Sequence, residues 1–224
     1  MEPLIKLCKM IIHPKRTSQE ILQDTQSIRQ AATIVIGFGT ILALLFLISH
    51  LTQDYPPPAD ELATWIETWG AFAMLPFLKI PAEQYRLAQA LFGLPLVLAI
   101  WILMAGSARL LSVAFKGKVS YEQYLSLFGF SFFAFWILGQ ILDITYSAIL
   151  GDAILRALRM EYGAAIKEIV ALFPAVMWTG VLTLGGIYNG IVTYESEGFS
   201  AIKAGAIAMA TFVWPIVLVS VLIR

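Results

Sequence analysis

The side chains that could take part in catalysis or metal binding are few and far apart in the sequence. The chain contains one cysteine, Cys8, and two histidines, His13 and His50. Zinc sites and catalytic triads need several such groups at one place, and the sequence has no HExxH, CxxC, GxSxG or GxxxxGKS/T motif. We therefore predict that the protein is not an enzyme, and we expect no metal, no cofactor and no nucleic-acid partner.

The composition indicates that this chain folds in a membrane. Of its 224 residues, 59% are apolar and 13% are charged, whereas about a quarter of the residues of a soluble domain are charged. A helix needs about 20 apolar residues to cross the hydrocarbon core. Five segments reach that length, namely residues 31–49, 88–113, 124–150, 169–192 and 202–223. We predict an all-α integral membrane protein, a single domain over residues 1–224 with a bundle of five transmembrane helices.

The distribution of positive charge predicts how the bundle is oriented. Nine of the fifteen Lys and Arg residues lie in the amino-terminal segment, in the turn after the second span, or at the start of the last span. Cytoplasmic loops carry an excess of Lys and Arg. We therefore expect the amino terminus in the cytoplasm and, because the number of spans is odd, the carboxyl terminus outside the cell membrane.

Polar residues inside the spans are the candidates for function. A carboxylate at the centre of a membrane helix costs about 2.5 to 3.5 kcal/mol, but Asp143 is predicted near the outer headgroups, where it either ends the apolar zone or pairs with His50 or Arg86. Arg109 is expected to extend towards the cytoplasmic phosphates. Asn189 is expected to form a hydrogen bond between helices.

Amphipathic segments predict helices that lie in the membrane interface. In the opening segment, Leu4, Leu7, Cys8, Ile11 and Ile12 share one helical face. The opposite face carries the polar residues Glu2, Lys6, Lys9 and His13. Residues 60–74 and 151–168 show the same separation of apolar and polar side chains. The cytoplasmic amphipathic segment is expected to cover residues 1–30.

Small and polar residues near the helix ends predict helix contacts and turns. Gly186 and Gly190 form a GxxxG pattern, which favours close packing of membrane helices, so we expect the fourth and fifth spans to pack together. Ser120 and Gln123 have the spacing of a capping box. Ser200 precedes the last span in the same arrangement, and both serines are predicted to cap the helices that follow. The competing hypothesis is that the two turns form a cytoplasmic recognition surface with Lys116, Lys118, Tyr121 and Lys203.

Four stretches together resemble the Yip1 domain family, including its short bacterial inner-membrane members of the YohC type. They are "HPKRTSQEIL", "KGKVSYEQYLSLFGFS", "VMWTGVLTLGGIYN" and "SEGFSAIKAGAIAM". The resemblance implies a five-span bundle with a cytoplasmic amino terminus in a prokaryotic inner membrane. Eukaryotic relatives look like adaptors for Rab-type GTPases. This chain lacks their Asp-Leu-Tyr-Gly-Pro motif and their long amino-terminal region, which makes GTPase binding doubtful.

Two functions are consistent with these features. The first is a non-enzymatic membrane-organising or adaptor role, whose partners are the lipid bilayer and, in addition, other membrane proteins or a second copy of the chain. The alternative is a small transporter or lipid-handling protein with a cavity between helices kinked at Pro95, Pro174 and Pro215. The scarcity of charge at the membrane midplane favours the first function.

Overall fold

A computed structural model of the protein describes residues 2–52, 85–158 and 164–222. These residues form helices and turns, with no strand among them, so the predicted all-α class is confirmed for the described chain. The seven helices are α1 (Glu2–Ile12), α2 (Pro14–Gln23), α3 (Ser27–Thr52), α4 (Tyr85–Ala114), α5 (Tyr121–Leu158), α6 (Ala164–Glu197) and α7 (Ala201–Leu222).

Five of the helices are long and apolar enough to cross a membrane, as predicted. Their candidate spans are Ser27–Ile48, Leu87–Ala114, Tyr121–Tyr146, Val176–Glu197 and Ala201–Leu218. The first span begins four residues before the predicted Ala31, because polar residues at its start find partners within the bundle. The buried Ser27 hydroxyl, for example, donates to Ser126 Oγ of α5 at 3.2 Å.

Helix α5 lies in the middle of the bundle. It contacts α3, α4 and α6, and α7 packs against α4 and α6. Buried residues make up 72% of the most apolar 18-residue stretch of α5, but only 22% to 39% of the corresponding stretch in each of the other four spans. Aromatic side chains fill this centre: the Phe133 ring stacks on Trp136 at 5.6 Å, and Phe38 of α3 lies 5.4 Å from Trp136. Helix α5 therefore forms the buried centre of the bundle.

Helices α1 and α2 fold back against the ends of α5 and α6. Pro14, whose fixed φ suits the first turn of a helix, starts α2 directly after the end of α1. Met10 and Leu7 of α1 are buried, whereas Leu4 and Ile12 are exposed. Only part of the predicted apolar face thus packs on the bundle, and the rest is available to a membrane interface.

The position of Lys6 differs from the prediction that it lies on the exposed polar face of the opening helix. Its side chain is only 11% exposed. The turn between α1 and α2 brings its ammonium group to the junction of α2 and α3, where it meets Asp24 at 2.6 Å and Gln30 Oε1 at 2.7 Å. Helical periodicity predicts the face of the helix on which a residue lies, but it does not predict a partner from another part of the fold.

The other two predicted amphipathic segments are placed as follows. Residues 60–74 lie outside the described residues. Residues 151–158 continue α5 without interruption, and α6 begins at Ala164, so the described part of the third segment belongs to the ends of two long helices.

Candidate functional site

The turn between α4 and α5, residues 115–120, is built by a backbone motif that ends α4. Lys116 has a left-handed φ of 64°. The amide of Lys116 donates to Val113 O at 3.0 Å, and that of Gly117 donates to Ser112 O at 2.7 Å. These two bonds form a Schellman motif, which satisfies carbonyls that a helix end would otherwise leave free.

The start of α5 carries the capping box that the sequence predicts. The Gln123 amide donates to Ser120 Oγ at 3.2 Å, and the Ser120 amide donates to Gln123 Oε1 at 2.8 Å. Both bonds satisfy amides at the start of the helix. The turn is therefore fixed by local contacts at each of its ends.

Glu197, the last residue of α6, fixes the same turn from a distant part of the sequence. Its Oε2 accepts from the Lys118 amide at 2.6 Å, and its Oε1 accepts from the Val119 amide at 3.2 Å and from Tyr124 Oη at 3.0 Å. The Ser112 hydroxyl donates to the same Oε1. One carboxylate thus joins the end of α6 to α4, to the α4–α5 turn and to α5.

Two further contacts hold the turns at this end of the bundle. Arg109 Nη1 donates to Val119 O at 2.7 Å, so its guanidinium binds the α4–α5 turn, a contact that the sequence did not predict. Phe115 packs edge-on against Phe199 of the α6–α7 turn, residues 198–200, with ring centroids 6.1 Å apart. Lys203 Nζ lies 5.6 Å from each of these two rings, within the range of a cation–π contact.

The α6–α7 turn does not repeat the capping arrangement. Ser200 precedes α7, and its carbonyl accepts from the Ala204 amide at 3.1 Å. Its exposed hydroxyl makes no hydrogen bond to the described residues. The turn instead depends on Gly198, whose φ of 67° glycine adopts without the steric cost that a side chain would bring.

We expect this difference to separate the two serines in a stability measurement. Ser120→Ala should lower the free energy of unfolding in detergent by about 1 kcal/mol, because it removes a capping hydroxyl, and Ser120→Asp should restore most of the loss. Ser200→Ala should change the stability by less than about 0.5 kcal/mol. Equal losses from the two alanine variants would contradict the assignment of the cap to Ser120 alone.

The structure does not bring together Asp143 and His50, which were predicted to pair at the other end of the spans. Asp143 lies on α5, partly buried, and forms no ion pair or hydrogen bond with His50 or with any other described side chain. The side chain of Arg86 lies outside the described residues. A contact between Arg86 and Asp143 therefore stays a prediction.

Asn189 lies buried where α6 meets α5. Ser131 Oγ of α5 donates to Asn189 Oδ1 at 2.7 Å, and Thr193 Oγ1 donates to the Asn189 carbonyl at 2.7 Å. Asn189 Nδ2 has no partner in the described structure. On the side of α6 that meets α7, an added Cβ would lie 3.0 Å from Phe212 at Gly186 and 3.2 Å from Ala208 at Gly190.

Asp24 forms a charged contact with Lys6 that the sequence did not predict. Its carboxylate accepts from Lys6 Nζ at 2.6 Å and from the Gln26 amide at 2.8 Å. The hydrogen bond from Lys6 and then the one from Gln26 hold the pKa of Asp24 below its usual value. The pair joins α1 to the junction of α2 and α3.

This lowered pKa predicts a pH dependence of stability. Because the folded-state pKa lies below the unfolded one, the contribution is complete above about pH 4 and is lost as the pH falls through the folded-state value. Wild type should therefore be more stable than Asp24→Asn at pH 7, and the difference should shrink as the pH falls below about 4 and through the folded-state pKa of Asp24. Thermal unfolding in detergent across this range tests it; a difference that is independent of pH would contradict it.

The exposed side chains of the α4–α5 turn contrast with its fixed backbone. Lys116, Lys118 and Ser120 are exposed, and Tyr121 at the start of α5 is 37% exposed. The contacts to Glu197 and Arg109 engage backbone groups of the turn, so they leave the side chains of Lys116, Lys118 and Tyr121 free to meet another molecule. Surfaces that are ordered before binding lose less entropy when a partner docks.

A comparison with known families assigns nearly the whole chain to one model. The family model described as Yip1 domain matches residues 9–224. The match includes both turns and Glu197, Arg109 and Ser120. No curated protein and no solved structure matches the chain.

Proposed function

We propose, because this chain belongs to the Yip1 domain family, that it is a membrane-organising adaptor which presents the α4–α5 turn to a partner protein. Members of this family are generally non-enzymatic membrane proteins. The five spans supply the contact with the lipid bilayer. The turn, residues 115–120, supplies the recognition surface.

The observation that carries this proposal is the combination of a fixed backbone with exposed side chains. Glu197 accepts from two amides of the turn, and Arg109 donates to one of its carbonyls. Glu197 is 78 residues from Val119 in the sequence and Arg109 lies on the preceding helix, so residues outside the turn fix its backbone. Such bonds favour a surface whose shape is set before binding.

The exposed side chains define the chemistry of the partner. Lys116 and Lys118 present two positive charges, and Tyr121 adds an aromatic ring with a polar tip. Complementary charge steers association and excludes wrong partners, so the partner should carry an acidic patch. We place this end of the bundle in the cytoplasm of a prokaryotic cell, at the inner membrane, as in the short family members of the YohC type, since the excess of Lys and Arg at this end supports that orientation.

The alternative of a small transporter draws little support from the described spans. The hydroxyls of Ser131, Thr193 and Thr211 are buried, and each donates to a residue of its own or a neighbouring helix. These side chains join or stabilise helices and do not line an open polar path. Asn189 Nδ2 is the one buried side-chain polar atom of the described chain that lacks a partner.

Charge reversal on the turn tests the adaptor role. We expect Lys116→Glu combined with Lys118→Glu to reduce recovery of membrane partners after mild solubilisation by about tenfold or more, because like charges replace complementary ones. Both side chains are exposed, so thermal stability should stay close to that of wild type. Lys9→Glu, which reverses the charge of an exposed lysine on α1, is the control. Undiminished recovery with the double variant would argue against this surface.

Reconstitution into liposomes tests the alternative directly. With a panel of ions and labelled lipids, we expect proteoliposomes to show no flux above empty vesicles. Flux that is lost in a variant of Asn189 would instead support transport through the bundle.

A further inference from the structure

An apolar groove of about 630 Å³ runs between α6 and α7. The helices approach closely at its floor, where Gly190 faces Ala208 and Gly186 faces Phe212. Gly205 also lines the groove, and a Cβ added there would meet no atom within 4 Å. The lining of α6 from Thr183 to Glu195 is about 18 Å long at about 1.5 Å per residue, and it lies within the candidate spans.

A polar hollow adjoins the groove at its Glu195 end. The hollow is formed by α2 and the residues before it, and Lys15, Arg16, Gln19 and Glu20 line it. Lys15 Nζ lies 3.5 Å from Glu195 Oε2, and Gln19 Nε2 donates to the Glu195 carbonyl at 3.1 Å. Glu195 lines the groove and Lys15 and Gln19 line the hollow, so these contacts place the polar hollow next to the end of the apolar groove.

The charges at the junction of the hollow and the groove are balanced, because Glu195 of the groove adds a second carboxylate to Lys15, Arg16 and Glu20 of the hollow. Lys15 pairs with Glu195, and Arg16 Nε donates to Glu20 Oε1 at 3.0 Å. The side chains of Lys15 and Arg16 are 79% and 84% exposed, whereas those of Glu195 and Glu20 are 21% and 38% exposed. Exposed ion pairs of this kind are weak, so both cations and both carboxylates remain available to a ligand that carries both signs of charge.

We propose that the groove and the hollow together bind one zwitterionic phospholipid from the bilayer. One acyl chain lies in the groove, the phosphate meets Lys15 and Arg16, and the headgroup ammonium meets Glu20 and Glu195. The order from apolar to charged surface matches that of a phospholipid. Lys15, Arg16 and Glu20 of the hollow, together with Glu195 at the end of the groove, give two positive and two negative groups at the junction, which matches a headgroup without net charge. This site is separate from the proposed recognition turn and does not depend on it.

The acyl-chain part of the proposal is tested by filling the groove. Full-length protein is reconstituted in nanodiscs of phosphatidylethanolamine and phosphatidylglycerol with matched acyl chains, and the retained lipid is measured by native mass spectrometry. Gly205→Leu should reduce retained lipid by about tenfold or more, because excluding two methylenes of a buried chain has an effect of that size. Gly106→Leu, where an added Cβ also meets nothing within 4 Å outside the groove, should retain lipid like wild type.

The headgroup part is tested by changing the balance of charge. Wild type should retain phosphatidylethanolamine in preference to phosphatidylglycerol. Glu20→Gln leaves the four charged positions at the junction with a net positive charge and should shift the ratio towards phosphatidylglycerol by about fivefold, the effect expected of one charge near a lipid headgroup. Lys15→Gln should lower retention of both lipids, and the exposed Lys9→Gln should leave it unchanged.

Several results would overturn the proposal. These are lipid retention by Gly205→Leu equal to that of Gly106→Leu, a wild-type preference for phosphatidylglycerol, or a ratio that Glu20→Gln does not move. A change of oligomeric mass in Gly205→Leu with unchanged lipid would assign the groove to a second copy of the chain. If Gly205→Leu does not fold, the exposed variants at Glu20 and Lys15 still decide the outcome.

Discussion

Glu197→Ala should lower the free energy of unfolding by about 3 kcal/mol or more, one of the two largest effects we expect of a single substitution. The carboxylate accepts from the hydroxyls of Ser112 and Tyr124 and from the amides of Lys118 and Val119. Ser112 and Tyr124 are fully buried, and a buried donor left without an acceptor costs about 1 to 3 kcal/mol. Thermal or denaturant unfolding in detergent measures the loss.

The matched control lies two residues away on the same helix. Glu195 is paired with Lys15, whose side chain is 79% exposed, so Glu195→Ala should cost less than about 1 kcal/mol. Glu197→Gln keeps one acceptor oxygen and should fall between wild type and Glu197→Ala. Similar small losses in both alanine variants would show that Glu197 does not join the turns.

Gly117→Ala should destabilise the protein by about 2 to 3 kcal/mol through crowding. An added Cβ would lie 2.6 Å from Glu197 Oε1 and 2.7 Å from the Phe199 ring, and it would also meet Ser112 Oγ. Overpacking of a filled site typically costs about 1 to 3 kcal/mol, and here the displaced atoms are those that fix the α4–α5 turn. The same unfolding measurement applies.

Two glycines provide controls for the effect of crowding. At Gly198 an added Cβ meets nothing within 4 Å, but φ is 67°, so Gly198→Ala should cost about 1 kcal/mol through backbone strain alone. At Gly106 there is neither a contact nor a positive φ, so Gly106→Ala should be neutral or slightly stabilising. A Gly117→Ala protein as stable as Gly106→Ala would contradict the close packing at the turn.

The sequence predicts well the features that depend on residues close together in the sequence or on the thickness of the bilayer. The five spans follow from hydropathy because the thickness of the bilayer sets the length of an apolar helix. The capping box at Ser120 and Gln123 follows because its two residues are three positions apart. The same reasoning was wrong for the Ser200 hydroxyl, because a serine at the right position does not have to use its side chain when the turn is already fixed by Gly198.

The features that the sequence did not predict depend on contacts between distant residues. Glu197 is 73 residues from Tyr124, and no periodicity connects them. One signal was present, because a carboxylate in the last turn of a helix opposes the helix dipole and therefore suggests a compensating partner. Lys6 gave no comparable signal, since its position on a helical wheel is also that of an exposed lysine.

The recognition surface is tested most directly by crosslinking from the α4–α5 turn. Cys8 is the only cysteine of the chain, so Cys8→Ser combined with Lys118→Cys carries a photocrosslinker at one chosen site, and Gly106→Cys in the same background places it on α4 inside the membrane span. In membranes of the native cell, we predict discrete protein adducts from position 118 that are absent from position 106 and are lost when Lys116 is also changed to Glu. No adduct from position 118 of a stably folded protein, or the same adducts from both positions, would contradict the account.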